Sequence, residues 1–154
     1  MHRLQILLLA VITLGPLSEA AQADAQASKA EVVRALVDAF NQQDVDAMTA
    51  RLTEDVQWLS VNGTTVTVEI EGRSALATWM EGYFAACSSC RSEVISMVSS
   101  NNRVSVVEVA SWIGSDGPQS QQAMAVYEFK GSLITRIYYF PEETLSDVAS
   151  PTGT

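Results

Sequence analysis

Histidine is almost absent from this chain, and its absence removes several classes of catalytic site. The single histidine is His2, which lies in a segment that we expect to be cleaved off. Without an imidazole, the mature chain has no histidine general base, no serine–histidine triad and no histidine ligand for zinc. We therefore expect neither a metal nor another cofactor.

Lysine and arginine are also scarce. The chain has 9 basic residues against 18 acidic ones, and its formal net charge is −9 at pH 7. Binding to nucleic acid depends on clustered Lys and Arg side chains that contact the phosphates. The composition therefore predicts that nucleic acid is not a partner.

Long hydrophobic runs are missing outside the N-terminus. Residues Leu4 to Leu17 follow Arg3 and are interrupted by Gly15-Pro16, so the run falls short of the roughly 18 to 20 apolar residues of a membrane-spanning helix. Small residues ending at Ala23 come next, a pattern typical of a secretory signal peptide. The sequence therefore predicts cleavage near Ala23 and no membrane span.

The chain divides accordingly into three predicted parts. Residues 1–23 are the signal peptide, residues 24–142 form a domain, and residues 143–154 are a flexible tail. The middle part is long enough to bury one hydrophobic core. We expect an exported protein, either periplasmic or secreted.

Three segments have the apolar spacing of amphipathic helices. Ser28 and Glu31 form a capping box, which predicts a first helix from Lys29 to Gln42. Asp44 is a natural N-cap for a second, short helix. A third helix begins near Ser74 and carries the clearest apolar stripe, formed by Leu76, Trp79, Met80, Tyr83, Phe84 and Cys87.

The other segments alternate or are rich in β-branched residues, which predicts strands. A hairpin turns at Asn62-Gly63, between strands at 56–61 and 64–70. The later strands are predicted at 92–100, 103–113, 121–130 and 133–140. Helices followed by a long antiparallel meander indicate an α+β domain, with the helices on one face of a curved sheet.

The chain's two cysteines, Cys87 and Cys90, have the Cys-x-x-Cys spacing of thiol oxidoreductases. Redox-active pairs lie at helix N-termini, where the helix dipole lowers the thiol pKa. Here the pair follows the apolar stripe of the third helix, so it lies at a helix C-terminus. In an oxidising compartment we expect a structural disulfide.

Long stretches of the chain resemble a known family. These stretches are VVRALVDAFNQQDVDAMTARLTEDVQWLS, EGRSALATWM and YEFKGSLITRIYYF. They resemble the SnoaL-like branch of the nuclear transport factor 2-like superfamily, over residues Ala30 to Phe140. The resemblance implies a cone-shaped half-barrel, with three helices packed on a strongly curved, mostly antiparallel sheet. It also implies an apolar pocket between helices and sheet, and a homodimer formed through the sheet.

The same resemblance argues against the catalytic residues of known relatives. Ketosteroid isomerases of this superfamily use a strand carboxylate, a helix tyrosine and a second acid, and the matching positions here are Ser60, Leu36 and Ala125. Scytalone dehydratases rely on histidines. SnoaL-type cyclases use an aspartate on a late strand, and residues Gln121 to Lys130 contain none. Whether the protein is an enzyme therefore stays open.

Two candidates for chemistry lie on the predicted meander. Glu108 is in phase with Val104, so its carboxylate either faces the pocket, where burial raises its pKa and suits a general base, or faces solvent or a dimer partner. Tyr127 is on the same face as Ala125, the position that matches the family's acid, and its phenol can donate a hydrogen bond to a bound oxygen.

A third candidate is Arg136. It shares a face with Ile134 and Tyr138, and by alignment that face lines the cavity, where a guanidinium receives an anion. The alternative is a salt bridge at the rim with Glu69 or Glu71.

The predicted lining of the ligand pocket combines these residues with aromatic side chains, which alternatively only fill the core. It consists of Trp58, Ser60, Tyr83, Ala125, Tyr127, Arg136 and Tyr138. Three functions stay open: binding of a small apolar or amphipathic molecule, an isomerase, dehydratase or cyclase that uses Glu108, Tyr127 or Arg136, and a dimeric assembly module with a vestigial pocket. Binding is favoured, because the family's catalytic residues and histidine are missing.

Overall fold

The computed structural model describes residues 17–140, with side chains from residue 28 onward. Residues 1–16 of the predicted signal peptide and the predicted tail at 143–154 lie outside these limits.

The described part of the chain contains three helices. They are α1 (Leu17–Gln42), α2 (Val45–Thr49) and α3 (Arg73–Ala86). The first helix begins at Leu17 and not at Lys29 as predicted, and Ser28 is an interior residue of it. Residues 17–28 are rich in alanine and contain neither glycine nor proline, so nothing in their propensities ends the helix at the predicted capping box.

The short second helix follows its predicted signal. The Asp44 side chain accepts a hydrogen bond from the backbone N–H of Ala47 through Oδ1 at 2.9 Å. That bond satisfies one of the free N–H groups in the first turn. The predicted N-cap is therefore confirmed.

Within residues 17–140, six strands form a sheet that curves without closing. They are β1 (Leu52–Asn62), β2 (Thr65–Glu71), β3 (Arg91–Ser100), β4 (Arg103–Gly114), β5 (Gly117–Lys130) and β6 (Leu133–Phe140). Their order across the sheet is β2-β1-β6-β5-β4-β3, and the β1–β6 pair is parallel while the others are antiparallel. The predicted α+β fold and meander are confirmed.

The helices cover the concave face of this sheet. Helix α1 packs against β3 and β4, and α3 packs against β1 and β2. The most deeply buried side chains between the layers are aliphatic: Val33, Leu52, Val56, Val104, Val106, Ile134 and Ile137. A single apolar core therefore joins helices and sheet.

A β-bulge in β6 changes which face of the sheet its side chains occupy. Along β5, Glu128 is opposite Arg136 and Phe129 is opposite Ile134, so Thr135 is an extra residue in the ladder. Ile134 and Ile137 are consequently both buried, although strict alternation would place them on opposite faces.

A disulfide lies at the C-terminal end of α3. The helix ends at Ala86, and the backbone N–H of Cys87 donates to the carbonyl of Tyr83 at 2.8 Å. Cys87 and Cys90 are bonded, directly before β3 begins at Arg91. The predicted disulfide at the helix C-terminus is confirmed.

Candidate functional site

A cavity of about 310 Å³ lies between the helices and the concave face of the sheet. The helices contribute Leu36, Val37, Phe40, Met48, Trp79, Met80 and Tyr83 to its lining. The strands contribute Trp58, Ser92, Glu108, Ala110, Tyr127 and Tyr139. The cavity exists because a curved sheet cannot pack flush against straight helices, so side chains fill only part of the space.

One wall of the cavity is aromatic. The rings of Trp79 and Tyr83 are stacked, with centroids 5.3 Å apart, as expected for residues one helical turn apart on α3. Trp58 lies across from them on β1, with its ring 6.0 Å from that of Trp79 and 6.0 Å from that of Tyr139. Trp79 is 44% exposed, so this wall extends from the interior to the surface.

The opposite wall carries one carboxylate, Glu108. It lies on β4 in phase with Val104 and Val106, and only 9% of its surface is exposed. The hydroxyl of Ser92 donates a hydrogen bond to Glu108 Oε2 at 2.9 Å. Burial raises the pKa of the Glu108 carboxyl above its ordinary value, and the Ser92 bond opposes part of that effect.

The position of Ser92 is set by Asn41 at the end of α1. The Asn41 amide donates to the Ser92 carbonyl, and its Oδ1 accepts from the Ser92 N–H, both at 2.8 Å. These two hydrogen bonds join the end of α1 to the start of β3. Asn41 therefore fixes the donor that orients Glu108.

Tyr127 adds a phenol to the same cavity. Its side chain is buried, and loss of solvation, the nearby Glu108 carboxylate and Tyr139 together raise its pKa well above the usual value. The hydroxyl therefore keeps its proton at neutral pH and is available as a donor.

Some of the residues predicted from the sequence lie in this lining and others do not. Trp58, Tyr83 and Tyr127 line the cavity, and so does Glu108. The Ser60 hydroxyl instead donates to the Glu69 carboxylate at 2.5 Å. Ala125 is on the concave side but is completely buried in the core, beneath the cavity surface.

Arg136 and Tyr138 differ from their predicted positions. The Arg136 guanidinium pairs with Glu128 at 3.4 Å, and its side chain is 45% exposed; the Tyr138 hydroxyl also donates to Glu128, at 3.4 Å. Glu128 is not among the residues that line the cavity. The extra residue Thr135 shifts the phase of β6, so Tyr139 faces the cavity where Tyr138 was expected.

Other lining residues are not among those predicted from the sequence. Trp79 was visible in the apolar stripe of α3, and its place beside Tyr83 is the signal that could have identified it. Ser92 and Tyr139 carried no comparable signal, because their facing depends on pairing between distant strands.

Among the side chains that the structure describes, at residues 28–140, no group of three or more His, Cys, Asp or Glu is arranged to hold a metal ion. None of the helices within residues 17–140 is long and apolar enough to cross a membrane.

Solved structures with a similar fold include several with named ligands or activities. A candidate ketosteroid isomerase from Kribbella flavida is 17% identical with a TM-score of 0.66, over 83% of this chain and 85% of that chain. A candidate polyketide cyclase from Xanthomonas campestris pv. campestris is 23% identical with a TM-score of 0.57, over 77% and 93%. TerC, co-crystallised with polyporic acid, is 13% identical with a TM-score of 0.62, over 75% and 92%.

Comparison at the level of sequence families is more direct. No curated protein matches the chain. The SnoaL-like domain family matches residues 33–137, which include α1 from Val33 onward, all of α2 and α3, strands β1 to β5 and β6 as far as Ile137. The chain belongs to the SnoaL-like domain family.

Proposed function

We propose that this protein binds a small apolar or amphipathic molecule in the cavity between helices and sheet. The observation that carries the proposal is the composition of the lining, in which aromatic and aliphatic side chains surround a single buried carboxylate. Ligand sites are typically concave and mostly apolar, with a few polar groups that orient the ligand. The neighbour TerC was crystallised with polyporic acid, which agrees with the use of this fold to hold small molecules.

The volume limits the size of the ligand. About 310 Å³ is at the lower end of the range of roughly 300–1,000 Å³ for small-molecule sites. A molecule with one or two rings fits this space better than a fused tetracyclic one. Burial of its apolar surface supplies affinity at about 25 cal/mol per Å² before the entropic costs of binding.

A cavity-filling variant tests the proposal. In Ala110→Leu the added side chain occupies space in the lining, whereas Ala85→Leu adds the same atoms at an exposed position on α3. We expect one- and two-ring compounds from a thermal-shift library to stabilise the wild type and the Ala85→Leu variant but not Ala110→Leu. A library without any stabilising compound, or hits that bind Ala110→Leu equally well, would count against binding in this cavity.

Acid–base catalysis is a second candidate function, favoured by the burial of Glu108 beside Tyr127. A carboxyl whose pKa is raised by burial suits proton abstraction next to a carbonyl, and a protonated phenol can stabilise the resulting enolate. Arg136 does not contribute, because it lies on the other face of β6. Exchange of the α-protons of a cyclic ketone in D₂O, followed by NMR, should be faster with the wild type than with Glu108→Gln; equal rates would exclude this chemistry.

We also propose that the outer face of the sheet mediates a homodimer. Val98 on β3 and Met124 on β5 pair with Ser105 and Val107 of β4, on the face opposite Glu108. Val98 is 68% exposed and Met124 43%, which exposes apolar surface on this face. Light scattering should give twice the chain mass for the wild type and the monomer mass for a Val98→Glu, Met124→Glu variant, with Thr78→Glu on α3 as a control. A wild-type monomer at micromolar concentration would exclude the dimer.

The proposed site of action is outside the cytoplasm. The Cys87–Cys90 disulfide supports it, since such bonds persist in oxidising compartments. The signal-peptide pattern before Ala23 supports it independently. N-terminal sequencing of the protein recovered from periplasm or medium should begin at Asp24, and recovery of the uncleaved chain from the cytoplasm alone would contradict export.

A further inference from the structure

We infer that the preferred ligand is an organic cation, such as a quaternary ammonium group on an aromatic or alkyl body, held between the aromatic wall and Glu108. The inference rests on the proposed function, because it specifies the chemical class that the same cavity selects. It follows from three properties of the site: the sign of its charge, the arrangement of its rings and the position of the nearby arginines.

The charge of the lining has one sign. Among the residues that line the cavity there is no lysine, arginine or histidine, and Glu108 is the single carboxylate. A fully apolar ligand would bury that carboxylate further without supplying a partner, which is unfavourable. Ser92 donates one hydrogen bond to it, while an ionised carboxylate has room for about four. A cation supplies the missing counter-charge, and an anion is repelled.

The rings form an open cage for such a cation. The stacked pair Trp79 and Tyr83 faces Trp58, whose centroid is 6.0 Å from that of Trp79 at an interplanar angle of 37°. Tyr139 continues this wall, 6.0 Å from Trp58. A cation within about 6 Å of an aromatic face is attracted by the quadrupole of the ring, most strongly by Trp, and several rings together recognise quaternary ammonium groups.

Two arginines that lie near cavity residues in the sequence are engaged elsewhere. The Arg136 guanidinium pairs with Glu128 on the opposite face of the sheet. The Arg91 guanidinium donates to the backbone carbonyls of Ser88 and Cys90 and is exposed. Neither therefore neutralises Glu108 within the cavity. The net charge of −9 adds a long-range attraction that favours the approach of cations.

A matched pair of probes tests the inference. Phenyltrimethylammonium and tert-butylbenzene have the same shape and differ by a positively charged nitrogen in place of one carbon. Both can be measured on the purified full-length protein by quenching of tryptophan fluorescence or by ligand-observed NMR. We expect the cation to bind the wild type about tenfold or more tightly than the hydrocarbon, the preference typical of a desolvated cation–π and ion-pair site.

Two variants separate the contributions. Glu108→Gln keeps the shape of the side chain and should remove most of the preference. The cation should bind more weakly without the counter-charge, and tert-butylbenzene should bind at least as tightly as before, because it no longer buries an ionised carboxylate. Glu81→Gln is the matched control, because it removes the same charge from an exposed position of α3 outside the lining, and it should keep the preference. Trp79→Leu removes a partly exposed ring and should weaken the binding of the cation more than the binding of the hydrocarbon.

The outcomes distinguish this inference from the proposal on which it rests. Equal affinities of the two probes for the wild type would overturn the cation inference and leave binding in the cavity standing. A preference that survives in both Glu108→Gln and Trp79→Leu would place the cation elsewhere and overturn it as well. If neither probe binds, the inference falls, and the separate comparison of library ligands with Ala110→Leu decides whether the cavity binds anything.

Discussion

The hydroxyl of Tyr83 donates a hydrogen bond to Sγ of Cys90 at 3.2 Å. Tyr83 lines the cavity and stacks on Trp79, while Cys90 is bonded to Cys87 just beyond the end of α3. The disulfide therefore contacts the back of the aromatic wall. The disulfide restrains the C-terminal end of α3, and through this hydrogen bond it also holds the Tyr83 ring in place.

Reduction of this disulfide should weaken both the fold and the cavity. A loop closed between residues 87 and 90 restricts the unfolded chain, and on the loop-entropy relation its loss costs about 2 kcal/mol. Urea unfolding of the wild type with and without dithiothreitol measures the loss. The chain has only these two cysteines, so a Cys87→Ser, Cys90→Ser variant should be as unstable as the reduced protein and insensitive to dithiothreitol. Equal stability of the oxidised and reduced proteins would refute the structural role.

The carboxyl of Glu108 should make the stability of the protein depend on pH. Its pKa is raised in the folded state from the ordinary value of 4.5 by loss of solvation, against the hydrogen bond from Ser92. The folded state therefore binds the proton more tightly than the unfolded state. This contribution to stability is complete below pH 4.5 and is lost as the pH rises through the raised pKa. Each tenfold difference in proton affinity corresponds to about 1.4 kcal/mol.

The Glu108→Gln variant isolates this effect. It keeps the hydrogen bond from Ser92 but cannot ionise. The other titratable groups of the lining are tyrosines: Tyr83 on α3, Tyr127 on β5 and Tyr139 on β6. Loss of solvation raises the pKa of Tyr83 and of Tyr127 above the usual value. Urea unfolding between pH 4 and pH 8 should show the variant gaining stability relative to the wild type as the pH rises. A constant difference across this range would mean that Glu108 titrates at its ordinary value.

Loss of Asn41 should destabilise the protein and leave the Glu108 carboxylate less firmly oriented. Asn41→Ala leaves the N–H and the carbonyl of Ser92 without their partners, at a cost of about 1–3 kcal/mol for each buried polar group that stays unsatisfied. Gln42→Ala, an exposed neighbour at the end of the same helix, is the control and should change the free energy of unfolding by less than about 0.5 kcal/mol. If the two variants have the same stability, the contact between α1 and β3 is not important.

Removal of Arg136 should leave ligand binding intact. Its ion pair with Glu128 lies on the convex face, where the Arg136 side chain is 45% exposed, and ion pairs at the surface are worth about 0–1 kcal/mol. We expect Arg136→Ala to bind cavity ligands, including any acidic ones, as the wild type does, in the same thermal-shift assay. A selective loss of acidic ligands would show that the guanidinium reaches the cavity.

The local signals of the sequence predicted most of the fold correctly. The family-like motifs have identifiable roles in the structure: Asp44 caps α2, Trp58 forms part of the aromatic wall, and Gly72 and Gly131 have φ values of +94° and +65°, which glycine adopts without strain. The roles of Asp44, Gly72 and Gly131 depend on neighbouring residues, so the local pattern is enough to identify them.

The errors occurred where distant segments decide the outcome. The facing of Arg136 followed from strict alternation, and an extra residue at Thr135 reversed it. The start of α1 was placed at a capping box that the continuing helix overrides. Asn41 and Ser92 meet across 51 positions of the chain, and nothing in either segment indicates the other.

The sequence by itself therefore determined the α+β class, the family and the disulfide at the end of α3. It also supplied the aromatic residues and Glu108 as candidates for the lining of a pocket. Only the tertiary structure decided which of these side chains share the cavity, because strand register, the parallel pairing of β1 with β6 and the bulge at Thr135 set the facing of every residue on the sheet. Side chains alternate with a period of two along a strand, so one extra residue exchanges the inner and outer faces. That exchange removed the arginine from the cavity and left an acidic, aromatic site.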